Sequence, residues 1–194
     1  MLSLVRSMKN TFVPINRIPP EVLSLIPGHC DTDDEVVALT HVCRSWRELF
    51  ISRASSWTYL DCTNVDKTRV YIERSKTSPL EIYLEDDEDA PFLIDAFLLT
   101  VPHFGRLGNL TLSGSSDNLL QLVKYFDSPA PLLKKLKLSF TRTEAPVVQD
   151  ALFHGNLTSL RELRLAGVIT NLAWENLTNL VTFDLRQSRA ARYP

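Results

Sequence analysis

Apolar positions along the chain change period near Trp57. From Ile18 to about Ser52 they recur at helical spacing. Pro19 and Pro20 suit the first turn of a helix, where a missing N–H costs nothing. Val22, Leu23 and Ile26 follow on one face, and Pro27-Gly28 is the expected stop. Asp31-Thr32-Asp33-Asp34 offers N-cap candidates and first-turn negative charge for a second helix, whose Val36, Leu39 and Val42-Cys43 keep the same spacing. Trp46, Leu49 and Phe50 extend it into a third helix after a kink expected near Ser45. A segment this short carries more large apolar residues than it can bury by itself, so another chain is expected to complete its core.

Beyond Trp57 the pattern predicts strands separated by helices. Leu107-x-x-Leu110-x-Leu112, Leu133-x-x-Leu136-x-Leu138, Leu160-x-x-Leu163-x-Leu165 and Leu180-x-x-Phe183-x-Leu185 share one template, L-x-x-L-x-L. The middle apolar positions step by 26 (110 to 136), 27 (136 to 163) and 20 (163 to 183) residues, the spacing of an internal repeat. Asn156-Leu157-Thr158-Ser159-Leu160 and Asn176-Leu177-Thr178-Asn179-Leu180 are the most similar pair, and weaker copies precede at Leu60-Asp61-Cys62 and Ile82-Tyr83-Leu84. Helices are expected between strands: Phe92 to Leu99 capped by Asp89, a segment marked by Leu119, Leu122, Val123 and Phe126 capped by Asp117, and Val147 to Phe153 capped by Thr143 before Gly155. Each unit leaves one strand face and one helix face uncovered, so stacking the units is what buries them. No amphipathic capping helix follows Leu185. Either a truncated chain or an open strand edge at Val181 to Arg186 is therefore expected.

Composition excludes more than it selects. Lys+Arg 21 against Asp+Glu 23 gives a net charge of -2, which offers no bulk attraction to nucleic acid or to an anionic membrane. The most apolar stretch, Phe92 to Val101, spans about half a bilayer and contains Asp95. Three cysteines, Cys30, Cys43 and Cys62, form no disulfide framework, and a cytoplasmic or nuclear protein is expected, with its three glycosylation sequons unused. Cys43 beside Arg44 reads as a small hydrophobe on a helix face. His29-Cys30 and His41-x-Cys43 lack zinc-ligand spacing, so neither a metal nor any other cofactor is expected. No hydrolase, phosphate-loop or metalloprotease motif occurs, and the four histidines at 29, 41, 103 and 154 pair with no evident nucleophile. The chain is expected not to be an enzyme. Its acidic run Glu85-Asp86-Asp87-Glu88-Asp89 lacks the glycine and distal glutamate of a calcium loop. It reads as a solvated loop or, following a strand, as a target-binding segment for basic partners.

The helical segment resembles an F-box. The opening motif of that family is commonly Leu-Pro-x-Glu-Ile-Leu, and here it is Ile18-Pro19-Pro20-Glu21-Val22-Leu23. The later hallmark Val-Cys-Arg-x-Trp-Arg is intact from Val42 to Arg47, and Trp57 falls where a tryptophan often follows the third helix. The turn-rich, acidic middle, Pro27 to Glu35, departs from a continuous apolar second helix. The resemblance implies a three-helix domain that docks onto a Skp-type adaptor and through it a cullin. The residues it implies for that contact are Ile18, Pro19, Pro20, Leu23, Ile26, Leu39, Val42, Cys43, Trp46 and Leu49, with Trp46 also able to serve the domain's own core.

The later strands resemble irregular leucine-rich repeats of the F-box-associated kind. The expected architecture is α/β overall: a flexible stretch at 1–14, a three-helix F-box at 15–57, and a repeat solenoid with a parallel sheet at 58–194. The resemblance implies a substrate receptor of an SCF-type ubiquitin ligase, whose repeats recruit an unknown protein target through solvent-facing positions such as Glu81, Thr111, Lys137 and Arg164. It would act by proximity and contribute no reactive group. The competing expectation is a repeat scaffold whose F-box-like helices only cap the solenoid.

Overall fold

A computed structural model describes residues 13–30, 32–85, 94–114, 121–140, 147–148, 152–155, 157–170 and 177–186. The chain divides into two compact units, Met1–Trp57 and Thr58–Pro194.

Among the described residues of the first unit there are three short α-helices, α1 (Pro20–Leu23), α2 (Asp33–Leu39) and α3 (Arg44–Ser52), with single 3-10 turns at Pro14–Arg17, Ile26–His29 and Ala54–Trp57. Pro19 is the N-cap of α1 and Pro20 its first residue, a position where the fixed ring torsion already matches the helix. The helix stops at Leu23, earlier than Pro27-Gly28. Those two residues instead lie inside the following 3-10 turn, because proline at its second position is compatible with that tighter winding. Thr32 caps α2 by accepting the Glu35 N–H at 3.4 Å. The expected kink near Ser45 is a full break between Thr40 and Cys43. Arg44 opens α3 there as a separate helix.

Leu23, Trp46 and Phe50 form the core of this unit, with Ile26, Leu39, Cys43 and Leu49 packed against it. Trp46 meets Phe50 edge-on, ring centroids 5.5 Å apart. The indole N–H of Trp57 donates to the Phe50 carbonyl at 2.9 Å, which satisfies the polar end of an otherwise buried ring.

In the second unit, strands β1 (Tyr59–Leu60), β2 (Leu80–Glu85), β3 (Leu107–Gly114), β4 (Lys135–Phe140), β6 (Glu162–Ala166) and β8 (Thr182–Arg186) make one parallel sheet in that order. Helices α4 (Val65–Ser75) and α5 (Ile94–Leu98) lie in the connections flanking β2. Asn64 caps α4 by accepting the Lys67 N–H at 2.9 Å. Beside it the Asp61 carboxylate, which burial pushes up, is held below its ordinary range by hydrogen bonds and attraction from Lys67 and Thr63.

The template L-x-x-L-x-L acquires a structural meaning here. Ile82, Leu110, Leu136, Leu163 and Phe183 stand at matched register across the sheet, and Leu84, Leu112, Leu138, Leu165 and Leu185 form the next row. The approach to each strand repeats as well. Leu133 donates to Ala130, Leu160 to Leu157 and Leu180 to Leu177 at 3.1, 3.0 and 3.4 Å. One residue on, Lys134 donates to Gly108, Arg161 to Lys134 and Val181 to Arg161 at 2.7, 2.8 and 2.8 Å, so each incoming strand docks on its predecessor by the same bond.

The helix expected from Val147 to Phe153 is not formed. Val147–Val148 is strand β5, paired in parallel with β7 (Ile169–Thr170), and Leu152–Gly155 is a 3-10 turn. Val147 and Val148 pair with Ile169 and Thr170, and these β-branched residues favour an extended backbone. All three expected caps, Asp89, Asp117 and Thr143, lie outside the described residues. Phe97, Phe104, Phe153 and Phe126 join in a chain of ring contacts with centroids 6.0, 6.0 and 5.0 Å apart. None of the described helices is long and apolar enough to cross a membrane.

Candidate functional site

The hallmark Val42-Cys43-Arg44-Ser45-Trp46-Arg47 resolves into distinct structural duties. Trp46 is 5% exposed and belongs to the core. Cys43 precedes α3 as its N-cap residue and packs half-buried on the same cluster. Arg47 turns back toward the break between helices, donating through Nε to the Thr40 carbonyl at 3.1 Å and lying 3.3 Å from His41 Nδ1. Thr40 ends α2 and its hydroxyl donates to the Val37 carbonyl at 2.7 Å. The turn between α2 and α3 is thus fixed from both sides, and it carries Val42 outward at 55% exposure.

Of the ten residues implied for partner contact, Ile18, Pro19, Pro20 and Val42 are at the surface. Ile26, Leu39, Cys43 and Leu49 are half-buried against the core, while Leu23 and Trp46 are inside it. Leu23 and Trp46 therefore support the surface from beneath. Val22 is turned outward at 51%, away from the core that its helical spacing with Leu23 and Ile26 suggested, and Leu25, at 59%, is the most exposed large apolar side chain among the unit's described residues. Leu25 escaped the sequence reading. Its signal was the i, i+3 relation to Val22, which places the two on one side of a helical turn while Leu23 and Ile26 occupy another. With Val13 and Ile15, the unit exposes six large apolar side chains in all among its described residues.

In the second unit, the acidic run leaves only Glu85 among the described residues; Asp86, Asp87, Glu88 and Asp89 lie outside them. Glu85 accepts the Tyr83 hydroxyl at 2.8 Å, and that bond pushes the phenol above its ordinary range. Tyr83 in turn stacks with Tyr59, centroids 6.3 Å apart. Cys62 is fully buried, and burial together with the Asp61 charge pushes its thiol up to about 12, which removes it as a thiolate nucleophile at neutral pH. Arg106 bridges elements by donating to Ser75 Oγ, the Ser78 carbonyl and the Ile72 carbonyl at 3.0, 2.8 and 3.1 Å. Among the described residues no three His, Cys, Asp or Glu side chains come together as a metal site.

Comparison with known proteins bears on the first unit. No curated protein and no solved structure matches the chain. Residues 15–63 match the family model described as F-box-like, a span that contains the proline-led helix, the outward-facing Val22, Leu25 and Val42, and the hallmark around Trp46. The chain carries an F-box-like domain at residues 15–63.

Proposed function

We propose that this protein is a substrate-receptor subunit of an SCF-type ubiquitin ligase. Its F-box-like domain binds a Skp-type adaptor and through it a cullin, and its parallel sheet belongs to a leucine-rich-repeat solenoid that recruits a protein target. The observation that carries the reading is the exposure of Ile18, Val22, Leu25 and Val42 on a domain of the F-box-like family. Domains of this family generally bind Skp-type adaptors. Full burial of one such side chain stabilises by about 1.5–3 kcal/mol relative to water, so covering several of them gives an adaptor a substantial driving force.

The recruitment half rests on the matched apolar rows and on the repeated docking bond of each strand, which are what a stack of repeats requires. The receptor acts by proximity in the cytoplasm or nucleus. It raises the local concentration of target lysines near the conjugating machinery and supplies no reactive group of its own. Co-expression with a Skp-type adaptor tests the assignment. A soluble stoichiometric complex is the expected product; a well-behaved monomer indifferent to the adaptor would favour a scaffold whose helices merely cap the repeats.

A further inference from the structure

The outward face of the sheet is divided by charge. Strand β2 presents Glu81, Tyr83 and Glu85, and β3 presents Asn109, Thr111 and Ser113. The next strands are basic: Lys135 and Lys137 on β4, Arg164 on β6 and Arg186 on β8, set against Glu162 and Asp184. Register places Lys137 beside Arg164 and Arg164 beside Asp184, with Ser139, Ala166 and Arg186 forming the row that follows. Small side chains at Ser139 and Ala166 leave a hollow of about 260 Å³ between these longer ones, lined by Lys137, Ser139, Arg164, Ala166, Asp184 and Arg186.

We infer that β4, β6 and β8 form a docking face for an extended, carboxylate-rich segment of a partner protein, held at Lys137 and Arg164. The inference rests on the recruitment role proposed for the sheet and gives that role a substrate class.

The charges on this face are unevenly matched. Arg164 Nε is 2.7 Å from Glu162 Oε1, and Arg186 is 3.0 Å from Asp184. Lys135 and Lys137 have no ion pair among the described residues, so four cations face two carboxylates. Arg164 engages Glu162 through Nε, which leaves the outer edge of its guanidinium to present a fork to a carboxylate. Neighbouring strands stand about 4.8 Å apart, so the two long cationic side chains flank one hollow and can share an acidic residue seated in it. A water molecule takes up roughly 30 Å³ in the liquid, and the hollow exceeds that several-fold, enough for an aspartate or glutamate side chain with solvent. Nucleic acid fits less well. A phosphate backbone crossing the whole sheet would run on from these strands to Glu81 and Glu85, on a chain of net charge -2.

The test is fluorescence anisotropy on the full chain, without adaptor, using a labelled peptide of alternating glutamate and serine. Alternation puts its carboxylates on one side of an extended backbone. The expected result is saturable binding that weakens with added salt and falls about 10-fold or more in Lys137→Glu/Arg164→Glu, while Glu81→Lys/Glu85→Lys binds at least as well as the parent. Lys137→Gln/Arg164→Gln gives the same direction where charge reversal perturbs folding by circular dichroism. Absence of binding, or equal binding by the Lys137 and Arg164 variants, overturns the inference. So does a thymidine oligonucleotide that binds more tightly and displaces the peptide. Failure here with intact adaptor capture removes the acidic-segment assignment alone, whereas failed adaptor capture removes the receptor reading.

Discussion

Arg47 Nε donates to the main-chain carbonyl of Thr40 at 3.1 Å, across the break that separates α2 from α3. The bond explains why an arginine follows the tryptophan of the hallmark. A guanidinium at this place satisfies a carbonyl near the end of α2, where intrahelical partners run out. Replacing Arg47 with Met keeps the aliphatic stem and removes the donor, so the expected loss is about 1 kcal/mol or slightly more. Thermal unfolding of the helical unit is the measurement, and Arg47→Lys should recover part of the loss.

Gly167 closes β6 with φ at +62°, and a Cβ built there would lie 1.9 Å from the Phe140 carbonyl oxygen. Its own N–H donates to the Arg186 carbonyl at 3.1 Å, so the turn is tied to β8 while its backbone lies close against Phe140 of β4. Gly167→Ala should destabilise by more than the roughly 1 kcal/mol that the torsion alone costs, because the opposing atom is backbone and cannot rotate away. Urea unfolding followed by circular dichroism would show a lower midpoint.

The imidazole of His103 is held below its ordinary range by burial, with a further contribution from Arg106. A folded-state value lower than the unfolded one means that the unfolded chain binds the proton first as pH falls. Stability from this group is therefore complete above the unfolded value near 6.5 and is lost on acidification through the folded value. Melting temperature should fall as pH is lowered below about 6.5, and His103→Gln should flatten that part of the profile.

The parts of the fold legible from sequence are those with a period. L-x-x-L-x-L specified its strands because every second residue of a strand turns to the same face, so that Leu110 and Leu112 each join an apolar row with Leu136 and Leu163 or Leu138 and Leu165. Thr32 could be anticipated as a cap from residue type alone, whereas α4 and its cap Asn64 were not read from the sequence. Val147 could not be placed by period, since two valines fit a helix face or a strand equally and only the distant pairing with Ile169 decides between them. The phenylalanine chain from Phe97 to Phe126 was invisible for a related reason: its rings come from three separate connections and meet only in space. At the candidate site, spacing identified the apolar residues but not their direction. Leu23 went inward and Val22 outward because α1 is a single turn, too short for one face to be assigned by period.

The most direct measurement is the affinity of the full chain for a Skp-type adaptor by calorimetric titration, for the parent protein and for Val22→Asp/Leu25→Asp/Val42→Asp. All three side chains are exposed, so the substitutions should leave the melting temperature close to the parent's. The account predicts tight binding by the parent, with the negative heat-capacity change of apolar burial, and a loss of at least about 100-fold in the variant. Undiminished binding by the variant, or none by the parent, would contradict it.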